Sequence, residues 1–312
     1  MSTQYEQGGT TRNGGLWQRL NSWWGGDEDA RPSAPSRRAS QTGARDAESE
    51  SGKGPWPQER IVLLEGLFGP GMISPAADAV YERLAGPLQL NEESRVVELA
   101  AGMGGLGHRL TGDCEAAIFA YNDEVEHADL AQAWLGSRGS RVKADRRDYH
   151  DTGLKRGFAD AIIGKEPITH VRRKHRVLQH LFHVLKPDGK IYFSDLFLTG
   201  DDPECPEVAV WSALERQPMH LVSPQRFRDM ADDIGFDAPS FEDITPLYTE
   251  AIRKAFAKTR EILAAAGPLA PRLQPWLVSE AEYWNRRVTL LESGEAKVQC
   301  VGLQPYTGAD LV

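Results

Sequence analysis

The stretch VVELAAGMGGLGHRL, residues 96–110, joins the apolar run of a buried strand to a glycine-rich turn and the start of a helix. Gly102, Gly104 and Gly107 are spaced as G-x-G-x-x-G, and Glu98 stands just ahead of them. Such a turn lets a ligand approach bare backbone, and the following helix offers N–H groups without intrahelical partners. In a dinucleotide site the pyrophosphate lies against those groups. A carboxylate at the end of the preceding strand repels a pyrophosphate, so Glu98 selects for a cationic ligand that carries no phosphate. Further along, Lys165, Glu166 and His170 crowd one short loop, and His175, His180 and His183 follow on a helix. The histidines read as mixed-exposure helix positions, and no metal is expected.

These residues need a scaffold, and the hydrophobic pattern supplies one. Strands are expected at 95–100, 116–121, 140–145, 158–164 and 190–197. Helices are expected at 105–112, 124–137 and 172–185, the last stopped by the KPDG at 186–189. This βαβα alternation predicts an α/β fold: a doubly wound, seven-stranded, mostly parallel sheet with helices on both faces. Ahead of it lie two leading helices, PQERIVLLEGLFG and SPAADAVYERLAGPL, with Ser74 as N-cap and Pro75 at the first helical position. After it come a helix at 224–234, a sixth strand in FDAPSFEDIT, a helical insertion at about 246–288, and a closing strand in EAKVQCVGLQ.

The chain has 312 residues and a net charge of −9, which argues against a general nucleic-acid binder. Cys114, Cys205 and Cys300 stand far apart, which fits a reducing compartment and excludes a thiolate zinc cluster. No run is long enough to span a membrane, and the start lacks the apolar core of a signal peptide, so the expected location is the cytoplasm. Residues 1–55 are poor in aliphatic side chains and read as a disordered tail ahead of a domain at 56–312. Its one apolar island, GLWQRLNSWW at 15–24, puts Leu16, Leu20, Trp23 and Trp24 on one helical face and suits weak docking to a partner.

A cationic, phosphate-free ligand of the right kind is S-adenosylmethionine, which carries an ammonium and a sulfonium. At this point the residues resemble a family. VVELAAGMGGLG looks like the first motif of class I S-adenosylmethionine-dependent methyltransferases, and HVLKPDGKIYFSDLF looks like their segment through the fifth strand. Within that class, EGLFGPGMISPAA and GKEPITHVRRKH are similar to stretches of phosphoethanolamine-type small-molecule N-methyltransferases. The resemblance implies S-adenosyl-L-methionine as cofactor and methyl transfer to N or O of a small-molecule or lipid head-group acceptor. It implies that Glu98, Ala100, Gly102 and Gly104 hold the methionine end, with Ser74 closing over it and Lys165 beside it. Asp145 would face the adenine amine. Glu166 and His170 would line the acceptor, the histidine handling its proton, and Arg216 would grip an acidic head group.

The chain also departs from that pattern. The family's ribose-binding acid at the end of strand two falls on Tyr121, so either the strand boundary slips and Asn122 or Asp123 reaches the ribose, or that contact is weakened. An aromatic residue that partners the histidine falls on Leu64, and an upstream tyrosine falls near Trp56. These departures keep open a second reading, a catalytically degenerate binding or regulatory module of the same fold. A third, a nicotinamide dehydrogenase, rests only on the glycine spacing. Structural readings stand beside the functional ones: Glu98 as a turn cap, Lys165–Glu166 as an exposed pair, His170 as a capping residue, Arg216 as a solvated one, and Asp195 as a turn residue.

Overall fold

The computed structural model describes residues 56–75, 78–200, 205–267 and 269–306. The tail at 1–55, with its Trp-rich island, lies outside the described residues. The chain divides into two compact units. One comprises 252–286 and the described residues up to 67; the other comprises 68–251 and the residues from 287 onward.

The larger unit is built on a seven-stranded sheet in the order β3-β2-β1-β4-β5-β7-β6. Its strands are β1 (Arg95–Leu99), β2 (Ala117–Asn122), β3 (Lys143–Arg146), β4 (Ala159–Lys165), β5 (Leu185–Leu198), β6 (Ser240–Asp243) and β7 (Ala296–Leu303). The first five run parallel, and β7 pairs antiparallel with both β5 and β6. This is the expected doubly wound sheet. The central strands are apolar on both faces because helices cover both. Val97 and Leu99 of β1 join Ile162, Ile191 and Phe193 in a core. Val177, Leu178 and Leu181 of the helix Lys174–Val184 complete it.

The helices follow as α1 (Gln58–Phe68), α2 (Asp78–Ala85), α3 (Gly105–Cys114), α4 (Val125–Ser137) and α5 (Lys174–Val184). Then come α6 (Pro206–Ser212), α7 (Pro224–Ile234), α8 (Thr245–Ala266) and α9 (Gln274–Ser293). At α7, Ser223 accepts the Arg226 N–H, Pro224 fills the first turn, and Gly235 at φ 106° ends the helix.

Three local expectations are corrected. The KPDG segment does not separate α5 from its strand: β5 begins at Leu185, and Lys186–Gly189 form an irregularity where the register jumps from Ala159↔Leu185 to Ala161↔Lys190. The extra residues are absorbed as a bulge. Ser74 Oγ accepts from Lys165 Nζ at 2.9 Å, and the residues between Pro75 and the start of α2 at Asp78 lie outside the described ones. Asp195 is not a turn residue: it lies within β5, as Asp145 lies within β3. Finally, β2 extends to Asn122, so Tyr121 is an internal, buried strand residue.

In the smaller unit, Leu64 of α1 is buried at 1% exposure. Arg60 bonds Glu280 at 2.6 Å and lies 4.4 Å from the centre of the Trp56 ring. Trp284 Nε1 donates to the other oxygen of Glu280 at 3.1 Å.

Candidate active site at the ends of the parallel strands

The glycine turn is held by a small set of groups. Ala100 takes φ 51°, a conformation that costs a non-glycine residue energy. Tyr149 stabilises it: its hydroxyl accepts the Ala100 N–H at 2.8 Å and donates to the Tyr121 carbonyl at 3.2 Å. Burial pushes the Tyr149 phenol pKa up, keeping it a neutral donor. Asn122 brackets the next position, accepting from Gly102 N–H at 2.9 Å and donating to its carbonyl at 3.0 Å. Gly102 and Gly104 follow at φ 56° and 84°. A Cβ on Gly104 would lie 2.7 Å from Leu135 Cδ1, and Gly105 N–H donates to Gly71 O at 3.3 Å. The glycines therefore serve close packing as well as backbone access. Tyr149 was missed in the sequence; its only signal is an aromatic residue set in the charged run RRDYHD.

Glu98 is 2% exposed, and its Oε2 has no hydrogen-bond partner. Burial pushes its pKa up to about 8, against the opposing pull of the Lys165 charge and of the neighbouring Gly107 N–H dipole. Lys165, at the end of β4, is drawn down to about 8 by its own burial. Its Nζ donates to Ser74 Oγ at 2.9 Å and to Ser74 O at 3.3 Å. Two of the expected cofactor residues, Ser74 and Lys165, are thus in direct contact, with Glu98 in the same field.

The loop after β4 is over-determined. Glu166 takes φ 57° and bonds Arg287 at 2.6 Å and Tyr248 at 2.7 Å. Burial alone would raise its pKa; the Arg287 charge and these two bonds hold it below the usual carboxylate range. The pair is not an exposed one: the Arg287 side chain is 3% exposed. Its guanidinium sits 5.0 Å from the Tyr248 ring centre and 5.4 Å from that of Trp211. Asp195, fully buried, accepts from Ile168 N–H at 2.8 Å, from Leu196 N–H at 2.8 Å and from the Thr169 hydroxyl. Burial lifts its pKa to about 6. From the other side, Lys174 Nζ donates to the carbonyls of Ile168 at 2.5 Å and Val171 at 2.7 Å. Lys174 was missed because, in a run of cations, sequence gives no sign of which one turns inward.

His170 follows on the same loop, its Nδ1 3.3 Å from Pro218 O and its Nε2 3.9 Å from Glu215 Oε2. Glu124, at the start of α4, accepts from Gln217. A hydrogen bond from His127 lowers its pKa most, and the charges of Arg216 and His170 add to the effect. The charges of His170 and the exposed Arg216 therefore reach Glu124, the residue after Asp123. Burial raises the Asp123 pKa. Asp145 stands apart from these groups: its carboxylate takes Arg147 at 2.7 Å and the Arg146 N–H at 2.8 Å. His180 accepts from Thr152 N–H at 3.0 Å. Among the described residues no group of three or more His, Cys, Asp or Glu is placed to hold a metal ion. None of the described helices is long and apolar enough to cross a membrane.

Comparisons with known proteins point to one class. The family model of a methyltransferase domain matches residues 97–193. Phosphoethanolamine N-methyltransferase 1 of Triticum aestivum is 20% identical over 237 residues, covering 76% of this chain and 47% of the relative. The chain thus spans about half the length of that relative. A Haemonchus contortus phosphoethanolamine N-methyltransferase 2, solved with S-adenosyl-L-methionine, aligns with TM-score 0.70 at 14% identity. That alignment covers 83% of this chain and 60% of the other. Geranyl diphosphate C-methyltransferase from Streptomyces coelicolor aligns with TM-score 0.55 at 15% identity, over 73% and 79% of the two chains. The shared fold carries acceptors as different as an amine and a prenyl diphosphate.

Proposed function

We propose that this chain, which matches the model of a methyltransferase domain over residues 97–193, uses S-adenosyl-L-methionine to transfer a methyl group to N or O of a small-molecule or lipid head-group acceptor. The observation that carries the reading is the buried Glu98 carboxylate with its unpartnered Oε2 at the foot of the glycine turn. A cationic ligand relieves that group, and a pyrophosphate aggravates it.

The residues present fit S-adenosyl-L-methionine. When bound, it supplies an activated methyl group on sulfur. Glu98 would favour its ammonium, and Lys165, steadied by Ser74, its carboxylate. The backbone of Ala100, Gly102 and Gly104 would approach it closely. Asn122 is already committed to both polar groups of Gly102, which leaves Asp123 as the acid for the ribose hydroxyls. Asp145 would accept from the adenine amine by sharing its carboxylate with Arg147. Glu166, fixed by Arg287 and Tyr248, would orient the acceptor. His170 would take its proton, and Arg216 would hold an anionic head group. Little else is required, because such catalysis is mostly positioning plus proton removal.

The test is isothermal titration with S-adenosylhomocysteine, with Asp123→Ala beside the unmodified chain, followed by labelled-methyl transfer to phosphoethanolamine and other small amines. Micromolar binding weakened about ten-fold or more in the variant is expected, the worth of one charge-assisted contact. No binding by the unmodified chain overturns the reading. Binding without turnover of any acceptor favours the module reading, for which the buried aliphatic Leu64 at the position of the relatives' aromatic residue speaks.

A further inference from the structure

A cavity of about 570 Å³ opens beside the start of α5, lined by Arg172, Arg173, Lys174, His175, His220 and Arg226. Among the described residues no carboxylate lines it. In a chain of net charge −9, six basic side chains without an acid among them are an exception. Its remaining walls come largely from aliphatic and methionine side chains of α6, of the segment before α7 and of α7 itself. None of the residues assigned above to cofactor or acceptor lines it.

We propose that this cavity binds the phosphoryl group of a small phosphate monoester, with its apolar substituent against the aliphatic wall. Three observations support it. First, the Arg172, Arg173 and Arg226 guanidinium groups make no ion pair or hydrogen bond among the described residues, so their donors are free for an anion. Arg forks match phosphate geometry, and each such contact is charge-assisted. Second, the first turn of α5 has no side-chain cap at Arg173, so its N–H groups and the positive end of the helix add to the field. Third, Lys174 is a buried cation whose hydrogen bonds go to carbonyls, with the nearby Asp195 as its favourable charge, and an anion in the cavity stabilises it further. Burial lowers the His220 pKa, and the charges of Lys174 and Arg172 lower it further, the mark of a site with excess positive charge. The volume far exceeds a bare phosphate, which is the reason for assigning an organic monoester.

Lys174 gives the site a consequence. The same ammonium that lines the cavity holds the carbonyls of Ile168 and Val171, so an occupant steadies the loop that carries Glu166 and His170.

The experiment is isothermal titration of the full chain with phenyl phosphate and with inorganic phosphate, at low salt. An Arg172→Ala/Arg226→Ala double variant is titrated in parallel, its folding checked by circular dichroism. Both arginines are exposed, so the variant is expected to fold. Saturable phenyl phosphate binding is expected, tighter than that of inorganic phosphate and weakened about ten-fold per arginine removed. S-adenosylhomocysteine affinity should be the same in both chains. Absence of saturable phenyl phosphate binding, equal binding by the variant, or parallel loss of S-adenosylhomocysteine affinity overturns the proposal. If the unmodified chain binds phenyl phosphate but not S-adenosylhomocysteine, the cofactor reading fails and this one stands.

Discussion

Gly107 owes its place to Glu98. A Cβ on it would overlap Glu98 Oε2 and lie 2.9 Å from Ile118 Cγ2. The third glycine of the signature therefore makes room for a carboxylate beneath the helix and does not serve a phosphate. That carboxylate sets a pH dependence. Its folded pKa, about 8, lies above the ordinary 4.5, so between these values the folded chain binds more protons than the unfolded one. Stability must then fall as pH rises through that window, by an amount on the order of a few kcal/mol at most. Glu98→Gln keeps the shape and removes the titration. Urea midpoints measured across the window should decline for the unmodified chain and stay flatter for the variant; parallel slopes would show that Glu98 is not the group responsible.

At the scale of elements, the loop between β4 and α5 is gripped from both sides. Asp195 of β5 gathers its N–H and hydroxyl donors, and Lys174 of α5 gathers its carbonyls. Asp195→Ala leaves buried donors unmet, at a cost of about 2–3 kcal/mol. The variant should show faster amide exchange at Ile168 while the glycine turn, held independently by Tyr149 and Asn122, keeps its protection. Equal loosening of both would make Asp195 a general core residue. This clamp also marks the limit of what sequence reveals. The strand–helix alternation was legible because hydrophobic period fixes element type, and the glycine turn because few backbones need such spacing. The register of β5 was not, since Leu185↔Ala159 pairing overrides the turn chemistry of KPDG. Nor was the partner of Glu166: Arg287 lies in α9, brought near only by the tertiary fold, as Tyr248 is. The local pattern at Ser74 is that of a cap and gives no sign that a lysine distant in sequence also bonds its hydroxyl.

For the molecule as a whole, the readings separate by what the folded chain binds and the unfolded chain does not. A ligand held at 100 times its dissociation constant stabilises the native state by about 2.7 kcal/mol. S-adenosylhomocysteine at that excess should raise the urea midpoint of the transition that reports the β-sheet. NADH at the same concentration should not at pH 9, above the Glu98 value of about 8, because a pyrophosphate laid against the glycine turn would face an ionised, buried carboxylate with an unpaired oxygen. In the Glu98→Gln chain that penalty is relieved and the attraction for an ammonium is lost, so the two ligands should differ less than in the unmodified chain. A midpoint raised equally by both ligands in the unmodified chain would mean that Glu98 does not govern the site. The glycine turn would then have to be assigned to nucleotide binding in general.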